Sequence, residues 1–286
     1  MNISNNWKDY ECLATGNGEK LERWNNIILN RPDPQIIWPK SNNPIWKKWD
    51  GYYHRSNLGG GSWEFKAKLK DYWTVNYKNL TFKVSPTNFK HTGIFPEQAT
   101  NWDYIIEKIT SSNIKDFRVL NLFAYTGCAT MAAASTNSME VVHVDSSKGM
   151  IDWAKENMKL SNLENKKIRF IQDDVLKFLD REIRRGRTYH AIIMDPPSYG
   201  RGPNKEVWRF EDNIKELLEK AKKLLDKNYS FLLISAYTTG LSPISLKNIL
   251  LLTFENSKIE TGEIGLPVTE NNLTLPCGIY GKVERN

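Results

Sequence analysis

The residues best equipped for chemistry are Asp195, Pro196, Pro197 and Tyr199, within His190-Ala-Ile-Ile-Met-Asp-Pro-Pro-Ser-Tyr199. Ala191–Met194 reads as a strand buried on both faces, and proline, with no N–H to give a ladder, ends it at Asp195. Two prolines then fix the backbone and leave their carbonyls without a partner in the strand. A carboxylate and rigid carbonyls at a strand's carboxyl end can accept hydrogen bonds from an amine, and the Tyr199 ring gives a flat substrate a surface to stack on. The chain runs on through Gly200-Arg201-Gly202-Pro203 to Lys205, Trp208 and Arg209, cations and an aromatic suited to phosphate and sugar. An ordinary strand exit into an exposed loop accounts for the prolines alone. The acid and the aromatic beside them favour a site.

Two upstream acids extend the pattern. Asn121-Leu-Phe-Ala-Tyr-Thr-Gly127 is a small-residue turn between a strand and a helix, where backbone N–H groups can approach a ligand. Only Gly127 is glycine, so this is not the dinucleotide fingerprint, and a nicotinamide oxidoreductase is disfavoured. Asp145 closes the next strand, placed to accept from both hydroxyls of a ribose. Its competing role is a helix N-cap, which Ser146 and Ser147 fill as well. A third strand ends in Asp173-Asp174-Val175, where a carboxylate can take an adenine amino proton and the following N–H can reach a ring nitrogen. N-capping again competes.

The elements that must position these residues alternate from about Phe89 onward. The spacing predicts helices over Ala99–Thr110, Cys128–Ser135, Lys148–Leu160, Val175–Arg185, Phe210–Leu225 and Ile244–Glu255. Strands are expected at Arg118–Phe123, Glu140–Asp145, Ile168–Gln172, Tyr189–Asp195 and Tyr229–Ser235, with two late strands at Lys258–Ile264 and Leu273–Val283. That rhythm is a doubly wound, mostly parallel α/β sheet over residues 91–286. Residues 1–90 hold seven of the ten tryptophans and frequent turn signals, and read as a small, mostly β domain. Trp73-Val75-Tyr77 and Leu80-Phe82-Val84 predict a hairpin. Aromatics among Lys47, Lys48, Lys66, Lys68 and Lys70 can stack bases, but in a small β domain they more often form the core.

Composition narrows the class. Hydrophobic residues are 40% and charged residues 26%, which fits a globular chain and not a disordered one. No apolar run is long enough to span a bilayer and no signal peptide opens the chain, so a cytoplasmic protein without a membrane partner is expected. Cys12, Cys128 and Cys277 are odd in number and far apart, which predicts neither a disulfide framework nor a metal site. A net charge of +7 suits a polyanionic partner, although a general richness in lysine raises the charge by itself.

With these residues in view, the chain resembles class I S-adenosylmethionine-dependent methyltransferases. Within them it is similar to the Asp-Pro-Pro-x-aromatic enzymes that methylate large-subunit ribosomal RNA. Asn121–Gly127, Asp145, Asp174 and Asp195–Tyr199 carry the likeness, with Gly93-Ile-Phe-Pro-Glu-Gln98 as a fainter element. The resemblance implies a seven-stranded Rossmann-like sheet with its last strand antiparallel, S-adenosyl-L-methionine as cofactor and RNA as substrate. It implies that Asn121, Phe123, Ala124, Tyr125, Thr126 and Gly127 hold the methionine moiety. Asp145 with Ser146 would hold the ribose, Asp174 with Val175 the adenine, and Gln98 would close over the cofactor. Asp195, Pro196, Pro197 and Tyr199 would be catalytic, with Asp195 also near the cofactor and Tyr199, Arg201 and Trp208 on the substrate. Cytosine-C5 members of the family use a cysteine after the fifth strand, where this chain has Ala236. A nitrogen acceptor is therefore expected. A protein or small-molecule acceptor, or a catalytically inactive nucleotide- or RNA-binding protein, are the alternatives.

Overall fold

The computed structural model describes residues 1–56, 60–201 and 207–285, and the chain divides into two units. The first comprises Met1–Thr100 and Ile264–Cys277; the second comprises Asn101–Glu263 and Gly278–Asn286.

The first unit contains β1 (Asn2–Ile3), β2 (Tyr10–Gly16), β3 (Glu19–Trp24), β4 (Ile27–Pro32), β5 (Gly51–Arg55) and β6 (Gly61–Phe65). Strands β2 to β6 form one sheet in chain order, antiparallel except for the β4–β5 pair. The expected hairpin is present as β7 (Trp73–Tyr77) and β8 (Leu80–Val84), with Lys78 at φ 52° in its turn. Of the seven tryptophans, Trp24 is fully buried and the other six are half-buried, so their rings serve largely as packing. Beside Trp24, the buried Glu22 carboxylate accepts from Tyr10 and from two nitrogens of Arg31. These donors offset the cost of burying its charge.

The boundary differs from the expected residue 90. The unit runs on to Thr100 and recruits Ile264–Cys277 from near the end of the chain. Tertiary pairing is the reason. The Thr269 and Glu270 N–H groups donate to the carbonyls of Cys12 and Leu13, and Ser4 donates to Gly265.

The second unit alternates helix and strand. After α1 (Ala99–Thr110) come β9 (Arg118–Leu122), α2 (Cys128–Ala134), β10 (Glu140–Asp145), α3 (Lys148–Leu160), β11 (Ile168–Gln172), α4 (Val175–Arg184) and β12 (Ala191–Met194). Two short strands, β13 (Tyr199–Arg201) and β14 (Val207–Arg209), precede α5 (Phe210–Leu224), β15 (Phe231–Ala236), α6 (Pro243–Thr253), β16 (Ser257–Pro267) and β17 (Thr274–Arg285). The sheet order is β11-β10-β9-β12-β15-β17-β16. The first five strands are parallel and β17 is antiparallel to β15. In the first unit, β1 adds a two-residue pairing to β16 at Ile264 and Gly265. All four residues of β12 are buried, as its unbroken apolar run requires, and α5 buries the stripe Ile214, Leu217, Leu218, Ala221 and Leu224 against the same core. Among the described residues, no helix is long and apolar enough to cross a membrane.

Candidate active site at the carboxyl ends of the parallel strands

Register lines up the strand ends. Leu122 of β9 pairs with Val144 of β10 on one side and Met194 of β12 on the other, and Val144 pairs with Ile171 of β11. The residues that follow therefore leave the sheet at one level: Asp195, the 123–127 turn, Asp145, then Asp173-Asp174. Adjacent strands are about 4.8 Å apart, so Asp195 and Asp145 flank the turn at roughly 10 Å from each other. The chain reverses its winding direction at β9, the place where open α/β sheets leave a crevice for ligands.

The turn is held in an unusual backbone conformation. Phe123, Tyr125 and Gly127 have φ of 53°, 50° and 81°. Such values cost about 1–3 kcal/mol at each non-glycine residue, so neighbouring groups must enforce them. Ala124 N–H donates to the Val144 carbonyl, Tyr125 N–H donates to Asp145 Oδ2 at 2.8 Å, and Asn157 Nδ2 on α3 donates to the Thr126 carbonyl at 2.9 Å. At Gly127 a Cβ would lie 2.9 Å from the Ala154 Cβ, so both φ and space demand glycine. Below the turn, Asn121 Nδ2 donates to Thr130 Oγ1, which is also 2.9 Å from His143 Nδ1. His143 is fully buried, and burial pushes its imidazole down to about 3.

Asp145 accepts a backbone N–H on each oxygen, from Tyr125 and from Ser147, both at 2.8 Å. Ser147 itself caps α3, so Asp145 is not the cap. Burial raises its carboxyl above the ordinary aspartate value, against the lowering effect of these backbone bonds. Asp174 does cap its helix, accepting from Lys177 N–H at 3.0 Å, and its own N–H donates to Asp173 Oδ1. Asp173 also pairs with Arg181. Val175, next in the chain, is buried, and Ser146 is half-buried.

Asp195 is half-buried, Pro196 buried and Pro197 exposed. The segment then forms a ribbon, with Tyr199 opposite Arg209, Gly200 opposite Trp208 and Arg201 opposite Val207. Two sequence expectations change here. The Pro197 carbonyl is not free: Trp208 Nε1 donates to it at 2.6 Å. Trp208 is not a surface contact either, being 8% exposed and packed on Phe123 with ring centroids 4.9 Å apart. Its indole anchors the proline corner to the 123–127 turn. Tyr199 is 53% exposed, with Arg201 Nε donating to its hydroxyl at 3.2 Å. Thr238, after β15, donates to Ser198. Gly202, Pro203 and Lys205 lie outside the described residues. Gln98 is a residue of the first unit and closes a 3-10 turn, Pro96–Gln98.

A family model for S-adenosylmethionine-dependent methyltransferases matches residues 53–234. The chain belongs to that family. A solved S-adenosylmethionine-dependent methyltransferase from Agrobacterium tumefaciens is 32% identical to this methyltransferase, at a TM-score of 0.95 over 100% of this chain and 93% of that one. Another, from Streptococcus mutans, is 17% identical with a TM-score of 0.76, over 98% of this chain and 76% of that one, a likeness of fold. Among curated relatives, ribosomal RNA large subunit methyltransferase K/L of Pseudoalteromonas translucida is 35% identical over 160 residues. The aligned part is 56% of this chain and 22% of that protein, so the chain spans about a fifth of its length. The methyltransferase assignment fixes the cofactor as S-adenosylmethionine.

Sequence reasoning missed three residues that shape the site. Asn157 reaches the Thr126 carbonyl from α3, and no local feature of the sequence signals it. Thr130 and His143 support Asn121 from below, and a histidine inside the run Glu140–Asp145 marks that support.

Proposed function

We propose that this methyltransferase acts on a nitrogen of a base in RNA, with large-subunit ribosomal RNA in the cytoplasm as the substrate. The observation that carries this is the corner at Asp195–Tyr199: a half-buried acid, two prolines of which Pro197 is held by Trp208, and a ring left open to solvent. The name of the curated relative, a ribosomal RNA methyltransferase, supports the reading.

The turn and its neighbours suit the cofactor. Gly127 lets the turn close tightly against α3, and each Asp145 oxygen keeps acceptor capacity after taking one N–H, enough for the two ribose hydroxyls. Ser146 lies beside it. Asn121, Phe123, Ala124, Tyr125 and Thr126 line the methionine end, and Asp174 with Val175 the adenine end. When bound, S-adenosylmethionine supplies an electrophilic methyl group.

The chain's own work is then alignment. Asp195 and the Pro196 carbonyl accept hydrogen bonds from an amine and leave its lone pair free to face the methyl. Tyr199 holds the base by stacking. Carbon-5 chemistry needs an attacking thiolate, and the thiols do not suit it. Ala236, the last residue of β15, stands where the resemblance would put that cysteine. Burial pushes Cys128 up to about 12 and raises Cys12 and Cys277 well above the ordinary thiol value.

The test is nucleoside mass spectrometry of ribosomal RNA from cells with and without the gene. The expected result is the loss of one N-methylated nucleoside, restored by the purified protein. Loss of 5-methylcytosine instead, or covalent trapping on 5-fluorocytosine RNA, would overturn the nitrogen acceptor.

A further inference from the structure

We propose that the outward face of the β13–β14 ribbon grips the RNA strand on either side of the methylated base, with Arg201 and Arg209 each taking a phosphate; this rests on RNA being the substrate. Side chains alternate across a ribbon, so the observed register puts Tyr199, Arg201, Val207 and Arg209 on one face and Gly200 and Trp208 on the other. The inner face is spent on anchoring. Trp208 packs on Phe123 and bonds the Pro197 carbonyl, and a Cβ at Gly200 would stand 3.4 Å from the Pro197 ring.

Among the described residues, the outer face makes no such anchoring contact. All four of its side chains are exposed. Arg209 lies directly across from Tyr199, about 5 Å away between Cβ atoms, and Arg201 about 7 Å along the same strand. Arg201 Nε also bonds the Tyr199 hydroxyl, which fixes the ring between two cations. Among the described residues, neither guanidinium is paired with a carboxylate. By contrast, Arg23, Arg31, Arg181, Arg185 and Arg187 each are. Unpaired guanidinium groups suit phosphate oxygens, which they bind through two parallel N–H groups. An acidic peptide would use the cations and leave the ring idle, whereas a nucleic acid strand with a base turned out uses both.

The test compares R201Q, R209Q, the double variant and R209K with the wild-type protein. The substrate is large-subunit ribosomal RNA from cells lacking the gene, and binding of that RNA is followed against salt. Each glutamine variant should raise the RNA KM on the order of tenfold and flatten the log–log salt dependence by about 0.7 per lost phosphate contact. R209K should keep most of the slope, while kcat and cofactor affinity stay near wild type. Wild-type KM and slope in the double variant, from a protein that does methylate this RNA, would overturn the grip and leave the RNA reading standing. Loss of cofactor affinity in the glutamine variants would also overturn it, as the mark of a positional defect. A wild-type protein that neither binds nor methylates the RNA would refute the RNA reading and the grip with it, before any variant is compared.

Discussion

Asp145→Asn separates two roles of one carboxylate. Each oxygen now accepts a backbone N–H, one from the 123–127 turn and one from the start of α3. Asparagine offers one oxygen and one amino group, so in either orientation a donor faces a donor. One bond to a charged acceptor, worth about 1.5–3 kcal/mol, is lost, and the other falls toward the neutral value of about 1 kcal/mol. Neutralisation returns part of the burial cost that raises the Asp145 carboxyl, so a net loss of about 1–3 kcal/mol is expected around the turn. Hydrogen exchange of the cofactor-free protein reads this directly. Amide protection at Tyr125 and its neighbours should fall roughly 10- to 100-fold, while the first unit is unchanged. Calorimetry with S-adenosylhomocysteine should show a further loss, since an amide binds two ribose hydroxyls less strongly than a carboxylate. Unchanged protection would refute Asp145 as the strut of the turn. Unchanged affinity would mean that the ribose is held elsewhere.

Three further outcomes are expected. Trp208→Phe removes the N–H given to Pro197 while keeping most of the contact with Phe123; it should cost about 1–2 kcal/mol and lower kcat more than cofactor affinity, and an unchanged kcat would separate the anchor from catalysis. Tyr199→Phe should be mild and Tyr199→Ala should lose about 1–3 kcal/mol in kcat/KM; equal losses would point to the hydroxyl and against stacking. For His143 the unfolded chain takes the proton first, near pH 6.5, so the stability of the neutral buried form is present above that pH and is lost as pH falls toward about 3. His91 and His190, also lowered by burial, share part of this window, and His143→Gln should reduce the acid slope of stability by up to about 1.4 kcal/mol per pH unit. An unreduced slope in pH-dependent denaturation would remove His143 from the account.

Much of the second unit was legible because its signals are local. The run Ala191–Met194 and the stripe along α5 gave strand and helix directly, and Ser147 and Asp174 cap the helices that begin beside them. The strand ends, and so the acids at Asp145 and Asp195, follow from the same signals. What escaped was long-range. Nothing near Trp208 announces that its N–H serves Pro197 eleven residues earlier, and nothing near Asn157 points to the Thr126 carbonyl. A tryptophan beside cations looks like a surface contact until the ribbon's register turns it inward. The recruitment of Ile264–Cys277 into the first unit was hidden for the same reason, because the partners of Cys12 and Leu13 lie more than 250 residues away.

That late recruitment has a consequence for biosynthesis. The first unit has its N-terminal strands early but lacks Ile264–Cys277 until the second unit's helices have been made. At ribosomal rates the missing segment arrives roughly 160 residues after Thr100, about 10–30 s later. During that interval the nascent N-terminal sheet carries an unfilled edge at Cys12 and Leu13. A nascent chain stalled before residue 264 should therefore be more open to protease in its first hundred residues than the finished protein, whatever the state of its methyltransferase unit.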